Sequence, residues 1–164
     1  MKIYVCGGRT QSDLVRDEVG SYDIRTDSWA DEASHLKEAR ICASAASFGS
    51  IIFIVGGLGS NWDSLNSVEY LDVAVSSPEW KLISCKTMLP RVNPAICLLN
   101  DHEVVIMGGH PSVNSEEFLS DVTILNTESC TTKTVISEAP FAFACNSASV
   151  RESGNSFVSI VIDA

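Results

Sequence analysis

The stretch Ile51-Ile52-Phe53-Ile54-Val55-Gly56-Gly57, a short apolar run that ends in a double glycine, decides the fold. It has two counterparts, Ile3-Tyr4-Val5-Cys6-Gly7-Gly8 and Val104-Val105-Ile106-Met107-Gly108-Gly109. The first glycines of successive pairs are 49 and 52 residues apart. A unit that recurs about every 50 residues indicates a repeat protein, in which each unit buries its faces against its neighbours. The pattern therefore predicts an all-β fold of stacked four-stranded blades.

Further landmarks keep nearly the same spacing in all three units. Each glycine pair is followed after 13 or 14 residues by Tyr22, Tyr70 or Thr123, then by Trp29, Trp80 or Cys130, and 11 residues later by Arg40, Arg91 or Phe141. We predict that aligned landmarks occupy equivalent places, with the Tyr and Trp rings wedged between adjacent blades. The arginines are expected to bind carbonyls or carboxylates where two blades meet.

The order of Gly-Gly, Tyr and Trp resembles the kelch-repeat family, and Leu65-Asn66-Ser67-Val68-Glu69-Tyr70 is most similar to the kelch repeats of BTB-kelch (kelch-like) proteins. The resemblance spans essentially the whole chain and implies a kelch-type β-propeller. Within one domain of residues 1–164 we place repeat 1 at 1–39, repeat 2 at 40–90, repeat 3 at 91–140 and a partial repeat 4 at 141–164. Its strands are expected near residues 143–150 and 157–162. The segment 31–38 is ambiguous between helix and linker.

About thirteen strands are expected, and they cannot close a ring of four full blades. The first unit lacks its innermost strand and the last lacks its outer two. We therefore predict an incomplete propeller of about three blades plus a partial fourth. Three explanations stay open: a fragment of a longer propeller, a small closed ring, or a homo-oligomer in which two copies complete the ring.

The amino-acid composition narrows the classes of partner that the chain is expected to bind. The net charge is −10 with only 11 basic residues, which argues against nucleic acid or an anionic membrane. The longest pure apolar run has five residues, far short of a membrane span, and the start lacks a signal-peptide pattern. The six cysteines form no Cys-x-x-Cys pattern, which favours reduced thiols. We therefore expect a cytoplasmic protein.

Catalytic interpretations find little support in the residues. Some kelch propellers, of the galactose oxidase and sialate epimerase types, are enzymes, but His35, His102 and His110 stand in separate contexts without metal-ligand spacing. The run Gly56-Gly57-Leu58-Gly59-Ser60 lacks the Gly-Lys-Ser/Thr ending of a phosphate loop. The expectation is a protein with no enzymatic activity, metal or cofactor.

In kelch proteins, peptide-like ligands usually bind at one mouth of the ring. On this sequence the resemblance implies the loops 9–17, 58–66 and 110–117 and the blade linkers around Arg40 and Arg91. The candidate binding residues for a protein partner are Arg9, Arg40, Asn61, Trp62, Arg91, Asn93 and His110. The candidate structural residues are Gly7, Gly8, Gly56, Gly57, Gly108, Gly109, Tyr22, Tyr70, Trp29 and Trp80.

The expected function is a protein–protein interaction module. The BTB-kelch resemblance implies the substrate-recognition part of a cullin-type ubiquitin ligase adaptor. Cys42 and Asn93, two residues past each landmark arginine, stand where relatives that recognise acidic degrons carry arginine, so an acidic degron is not expected. Two alternatives stay open: a cytoskeletal, actin-associated kelch scaffold, and a small-molecule enzyme.

Overall fold

The structure, a computed structural model, describes residues 2–84, 88–136, 147–153 and 156–162. These residues form thirteen strands in four antiparallel sheets, and no helix occurs among them. The predicted all-β fold is confirmed. Each sheet lies within one of the four predicted repeats, and we refer to the sheets as blades 1 to 4.

The strands fall into blades in chain order. Blade 1 contains β1 (Lys2–Cys6), β2 (Val19–Asp23) and β3 (Ser28–Asp31). Blade 2 contains β4 (Ser44–Phe48), β5 (Ile51–Val55), β6 (Ser67–Asp72) and β7 (Lys81–Ser84). Blade 3 contains β8 (Ala95–Leu98), β9 (Glu103–Met107), β10 (Val122–Asn126) and β11 (Thr131–Ile136). Blade 4 contains β12 (Ser147–Ser153) and β13 (Ser156–Ile162). The innermost strands β4, β8 and β12 lie side by side.

Neighbouring blades are joined by apolar side chains from both sheets. Successive residues of a strand point to opposite faces, so each blade has two apolar faces. Between blades 1 and 2, Tyr4 and Cys6 pack into a cluster with Ile52 and Ile54, beside the fully buried Trp80. We call the face that Tyr4 and Cys6 form the forward face of blade 1, and the opposing one the rear face of blade 2.

The same arrangement recurs at the next joint. Phe53 and Val55 of the forward face of blade 2 pack against Val104 and Ile106 of the rear face of blade 3. The forward face of blade 3 is formed by a third cluster, which contains Ala95, Cys97, Val105 and Met107. The core is therefore a series of wedges, each made of one forward and one rear face.

The strand registers correct the predicted alignment of the tyrosines. Ile3 pairs with Tyr22, and the equivalent residue in blade 2, Ile52, pairs with Leu71. Tyr70 instead pairs with Phe53 on the forward face. A shift of one residue moves a side chain to the other face of a sheet. Tyr22 and Tyr70 therefore lie on opposite faces of their blades, and the prediction that they are equivalent is wrong.

The tryptophans are equivalent as predicted, but their environments differ. Trp29 pairs with Tyr22, and Trp80 falls opposite Leu71 because the next residue, Lys81, pairs with Tyr70. Trp80 is fully buried in the wedge between blades 1 and 2, whereas Trp29 is 65% exposed. In blade 3 the equivalent residue is Thr132, which pairs with Leu125, and not Cys130 as predicted.

All six glycines of the repeated pairs have positive φ. At four of them a side chain would also meet backbone. An added Cβ would lie 2.4 Å from the Arg40 carbonyl oxygen at Gly7, 2.3 Å from that of Arg91 at Gly56, 2.4 Å from that of Ile41 at Gly57 and 2.8 Å from that of Val92 at Gly109. At Gly8 nothing lies within 4 Å of an added Cβ. Gly57 is crowded by the linker that opens its own blade, and blade 1 has no such linker among the described residues.

Several predicted boundaries shift. The first strand of blade 2 begins at Ser44, and Ile41 before it pairs with Leu58 in an isolated bridge. The apolar start of repeat 2 would suggest an earlier strand start. The strand predicted near 143–150 is Ser147–Ser153, and residues 143–146 lie outside the described ranges. The ambiguous segment 31–38 ends β3 and then runs as a linker, in which the Leu36 N–H donates to the Asp17 carbonyl.

Candidate functional site

Three loops and two linkers meet at one edge of the blades, which we call the mouth edge. Loop 1 (residues 7–18), loop 2 (56–66) and loop 3 (108–121) each follow the second strand of a four-stranded pattern. The linkers that open blades 2 and 3 reach the same edge. Ile41 bridges to Leu58 in loop 2, and Val92 bridges to His110 in loop 3. The sheet topology therefore brings all the predicted binding segments together.

Backbone hydrogen bonds join this edge from blade to blade. The Gly8 N–H donates to the Arg40 carbonyl over 2.9 Å, and the Gly57 N–H donates to the Arg91 carbonyl over 2.8 Å. The Asn93 N–H donates to the Cys42 carbonyl over 2.9 Å, which links the two linkers directly. The loops therefore sit on a hydrogen-bonded frame, which holds them in fixed positions relative to one another.

Arg40 and Arg91 belong to that frame and not to an accessible surface. The side chains of Arg40 and Arg91 each donate to a glycine carbonyl of the blade that the linker opens, to Gly56 and Gly108 respectively, over 2.8 Å. Both arginines are 1% exposed. Since their main chains bind the preceding blade, each arginine ties two blades together. The structure thus places both predicted binding residues inside the inter-blade joints.

Each arginine also has a carboxylate partner. Arg40 donates to Glu69 over 2.7 Å, and Glu69 further accepts the N–H groups of Lys37 and Glu38. Arg91 donates to Asp121 over 2.5 Å. Burial would raise the pKa of Asp121, but hydrogen bonds from Arg91 and Thr123 outweigh it, and the pKa lies below its usual range. Asp121 is therefore ionised across the neutral range and neutralises Arg91.

Loops 1 and 2 contain the same turn. The N–H of Thr10 donates to Leu14 and that of Asp13 to Thr10, and the equivalent bonds in loop 2 run from Gly59 to Asp63 and from Trp62 to Gly59. The fourth residue of this turn is left-handed, with φ of 60° for Asp13 and 63° for Trp62. Asp tolerates this conformation, whereas a bulky residue there is strained.

Trp62 is therefore a strained residue on an exposed loop. Trp62 is 39% exposed, and its indole ring has no ring or hydrogen-bond partner among the described residues. Backbone strain of this kind costs about 1–3 kcal/mol and concentrates at ligand-contacting sites. Neighbouring Asn61 is exposed as well. Both predicted loop 2 residues are accessible to a partner.

Each loop presents exposed apolar surface. Leu14 is exposed in loop 1, Trp62 in loop 2, and Val113 and Phe118 in loop 3. The half-buried His110 ring lies 4.2 Å from the Phe118 ring, centroid to centroid, so the two form one aromatic surface. Sequence reasoning missed Leu14 and Phe118. An apolar residue in a polar loop is a signal, but whether it folds inward depends on packing that the sequence does not display.

The charges of the loops are mostly acidic. Arg9, a predicted binding residue, is exposed and donates to Asp13 over 2.9 Å, and Arg16 forms a two-pronged pair with Glu18. These pairs neutralise the basic groups of loop 1. The acidic side chains of loops 2 and 3 without an ion pair in the described part of the chain are Asp63, Glu116 and Glu117. The mouth edge thus combines exposed apolar groups with uncompensated negative charge.

Asn93 is half-buried between the linkers, with φ of 50°. Its counterpart Cys42, with φ of 53°, is exposed. No arginine occupies either position, so this part of the mouth edge offers no cation to a carboxylate ligand. Across residues 2–84 and 88–136, no three His, Cys, Asp or Glu side chains come together as a metal site would require.

Comparisons with known proteins agree with this architecture. The Kelch motif family model matches residues 39–85, which comprise blade 2 and the linker before it. The solved structure of YjhT superimposes with a TM-score of 0.74 at 15% identity, and the match covers 96% of this chain and 55% of that one. The chain is a β-propeller protein, incomplete in its blades. More particularly, residues 39–85 of the chain match the Kelch motif.

A relative found by sequence comes from a plant. Adagio-like protein 2 of Oryza sativa subsp. japonica is 29% identical over 92 residues, which are 56% of this chain and 14% of that protein. This chain therefore spans a small part of the rice relative and about half of YjhT. The described residues contain no helix that is long and apolar enough to cross a membrane.

Proposed function

We propose that the chain binds a protein partner through loops 1 to 3 at the mouth edge, with Trp62 as the central contact. The observation that carries the proposal is the strained left-handed backbone of Trp62 on an exposed loop. Asp13 fills the same turn in loop 1 without this strain. A tryptophan at such a position is costly for folding, and buried aromatic residues dominate the energetics of protein interfaces.

The exposed side chains of the mouth edge indicate which kind of peptide segment binds there. Exposed Leu14 and Phe118 extend the apolar surface of Trp62 to the neighbouring loops. Asp63, Glu116 and Glu117 add negative charge without a compensating cation in the described residues. A basic segment that also carries a bulky apolar side chain complements this surface, since opposite potentials steer association and apolar anchors hold the complex.

A finer role follows from the resemblance to BTB-kelch proteins. We propose that the partner is a substrate that the chain presents to a cullin-type ubiquitin ligase. The role requires a cullin-binding segment, joined to this chain or supplied by another protein. Its test is precipitation of the tagged chain followed by detection of a cullin. Co-sedimentation with actin filaments and no cullin would favour the scaffold alternative.

The proposed compartment is the cytoplasm. Among the described residues Cys6, Cys42 and Cys130 form no disulfide, which fits a reducing environment. Burial raises the pKa of the Cys6 thiol to about 12, so this thiol stays protonated and acts as a small apolar group of the blade joint.

The binding experiment uses peptides of random sequence, displayed and selected on the full chain. We expect the enriched peptides to combine Lys or Arg with a bulky apolar residue. The affinity of one synthetic peptide is then measured by titration calorimetry for the wild type and for Trp62→Asn. Asn accepts the left-handed turn, so the substitution removes the ring and keeps the loop. A hot spot of 2 kcal/mol predicts a loss of affinity of about 30-fold.

The matched control is Val75→Asn, which changes a 49% exposed side chain in the turn between β6 and β7, at the edge opposite the mouth. Its affinity for the peptide should equal that of the wild type. Equal affinities for the wild type and Trp62→Asn, or enrichment of acidic peptides, would contradict the proposed function.

A further inference from the structure

The rear face of blade 1 has no covering neighbour among the described residues. Val5 is 51% exposed and Trp29 is 65% exposed, whereas their equivalents on the rear face of blade 2, Ile54 and Trp80, are 3% and 0% exposed. Ile3 beside them is 49% exposed. A contiguous apolar face of this kind marks an interaction surface, because monomeric proteins rarely expose one.

Blade 1 also has an open strand edge. β5 pairs with β4 and β9 pairs with β8, but β1, in the same position of its blade, pairs with β2 alone among the described strands. An added Cβ at Gly57 would meet the Ile41 carbonyl oxygen, whereas one at Gly8 would meet nothing within 4 Å. The open edge of blade 1 explains this difference as well. Among the described residues, the element that this edge lacks is therefore one innermost strand, and an unpaired edge is a template for such a strand.

The chain contains a strand of the required type. β12 lies beside β8 as β8 lies beside β4, so it occupies an innermost position. It begins Ser147-Ala148-Ser149, similar to Ser44-Ala45-Ala46 at the start of β4. Within blade 4, β13 pairs with β12 in the position that β1 holds in blade 1. β13 and β1 can therefore compete for the same edge of β12.

We propose that two copies of this chain close one ring by strand exchange. β12 of each copy pairs with β1 of its partner, in place of β13, and becomes the missing innermost strand of the partner's blade 1. Three complete blades from each copy then form a ring of six. The ladder between β12 and β1 replaces the ladder between β12 and β13, so the number of paired strands is unchanged. The net gain in free energy comes from burial of the rear face of blade 1 in both copies.

Two further observations fit a second copy as the occupant. The two joints whose side chains are described, between blades 1 and 2 and between blades 2 and 3, are each made by a forward face against a rear face. In the closed pair the exposed rear face of blade 1 meets the forward face of the partner copy's blade 3. The chain also covers 55% of the length of YjhT, so two copies supply about as many residues as that chain has.

The first test is the mass of the full chain in solution by light scattering over a range of concentrations. The expected result is a dimer. Val5→Lys and Trp29→Lys place a charge in the joint twice per dimer, and each should weaken the dimer by at least about 100-fold. The control Val75→Lys changes a 49% exposed residue in the turn between β6 and β7 of blade 2, outside the proposed joint, and should stay dimeric. A monomer at all concentrations, or dimers that persist in both joint variants, would overturn the proposal.

The second test needs no substitution. Hydrogen exchange is measured on the wild type at low and high protein concentration. Strand exchange predicts that the outward N–H groups of β1 become protected at high concentration while those of β13 lose protection. A dimer in which β13 keeps its protection would overturn the exchange. Neither readout involves the loops, so a failure here leaves the proposed peptide binding separately testable.

Discussion

Arg40 donates a hydrogen bond of 2.7 Å to Glu69, and the two side chains are 1% and 0% exposed. The ion pair is shielded from solvent, and it connects the linker of blade 2 to the third strand of that blade. Because the Arg40 main chain also holds Gly8, the ion pair fixes the distance between two blades. Inter-blade geometry in this protein depends on buried polar contacts as much as on apolar wedges.

Removal of the Arg40 guanidinium should be strongly destabilising. Arg40→Met keeps much of the side-chain volume but leaves the buried Glu69 charge without its cation, which costs about 3–5 kcal/mol of unfolding free energy. Urea denaturation followed by circular dichroism measures the effect. Arg9→Met, which breaks an exposed pair, is the control and should change stability far less. A near-normal midpoint for Arg40→Met would show that the pair does not hold the joint.

Gly57→Ala and Gly8→Ala separate backbone strain from steric contact. The two residues have similar φ, 96° and 105°, so the conformational penalty should be similar, about 1–3 kcal/mol. Only the Cβ at position 57 meets a carbonyl oxygen, at 2.4 Å, and overpacking adds about 1–3 kcal/mol. Thermal melting should therefore show Gly57→Ala as the less stable variant. Equal melting temperatures would contradict the assigned contact.

Acid should weaken the joint between blades 2 and 3. Burial alone would raise the pKa of Asp121, but hydrogen bonds from Arg91 and Thr123 hold it below its usual value. A carboxylate with a lowered pKa in the folded state stabilises the protein above its unfolded pKa, and that contribution is lost as pH falls through the folded pKa. Asp121→Asn should thus be less stable than the wild type at pH 7, and the difference should shrink below about pH 4. A difference that is constant from pH 7 to pH 3 would argue against ionised Asp121 as the partner of Arg91.

Trp62→Asn should stabilise the free protein while it impairs binding. A left-handed conformation costs an ordinary residue about 1–2 kcal/mol, and Asn adopts it more readily. Chemical denaturation should therefore show a gain of about 1 kcal/mol in unfolding free energy. Asp63→Asn, in the same loop, is the control and should leave the unfolding free energy nearly unchanged. A loss of stability in Trp62→Asn would mean that the indole packs favourably and is not held for binding.

Much of the fold could be predicted from the sequence, because double glycines and apolar runs recur with a fixed period. The face of each blade that a residue occupies could not. Tyr22 and Tyr70 align by counting from the glycines, yet the ladder registers differ by one residue and place them on opposite faces. Register depends on cross-strand packing, which a count along one chain does not contain.

The candidate site was predicted in its segments and less well in its residues. Loops that follow a glycine pair are visible in the sequence, and Trp62 stands out there by its type. Arg40 and Arg91 were proposed for a partner as well as for the blade joints, and only the structure shows that both are 1% exposed. A sequence does not show whether a long cationic side chain reaches solvent or a buried carboxylate.

The proposed binding surface lies at the mouth edge. Hydrogen exchange of the full chain, measured with and without a selected basic peptide, locates that surface. We expect new protection in residues 58–66 and 108–121, around Trp62 and Phe118, and none in the turn 73–80 at the opposite edge. Protection confined to residues 73–80, with loops 2 and 3 unchanged, would contradict it.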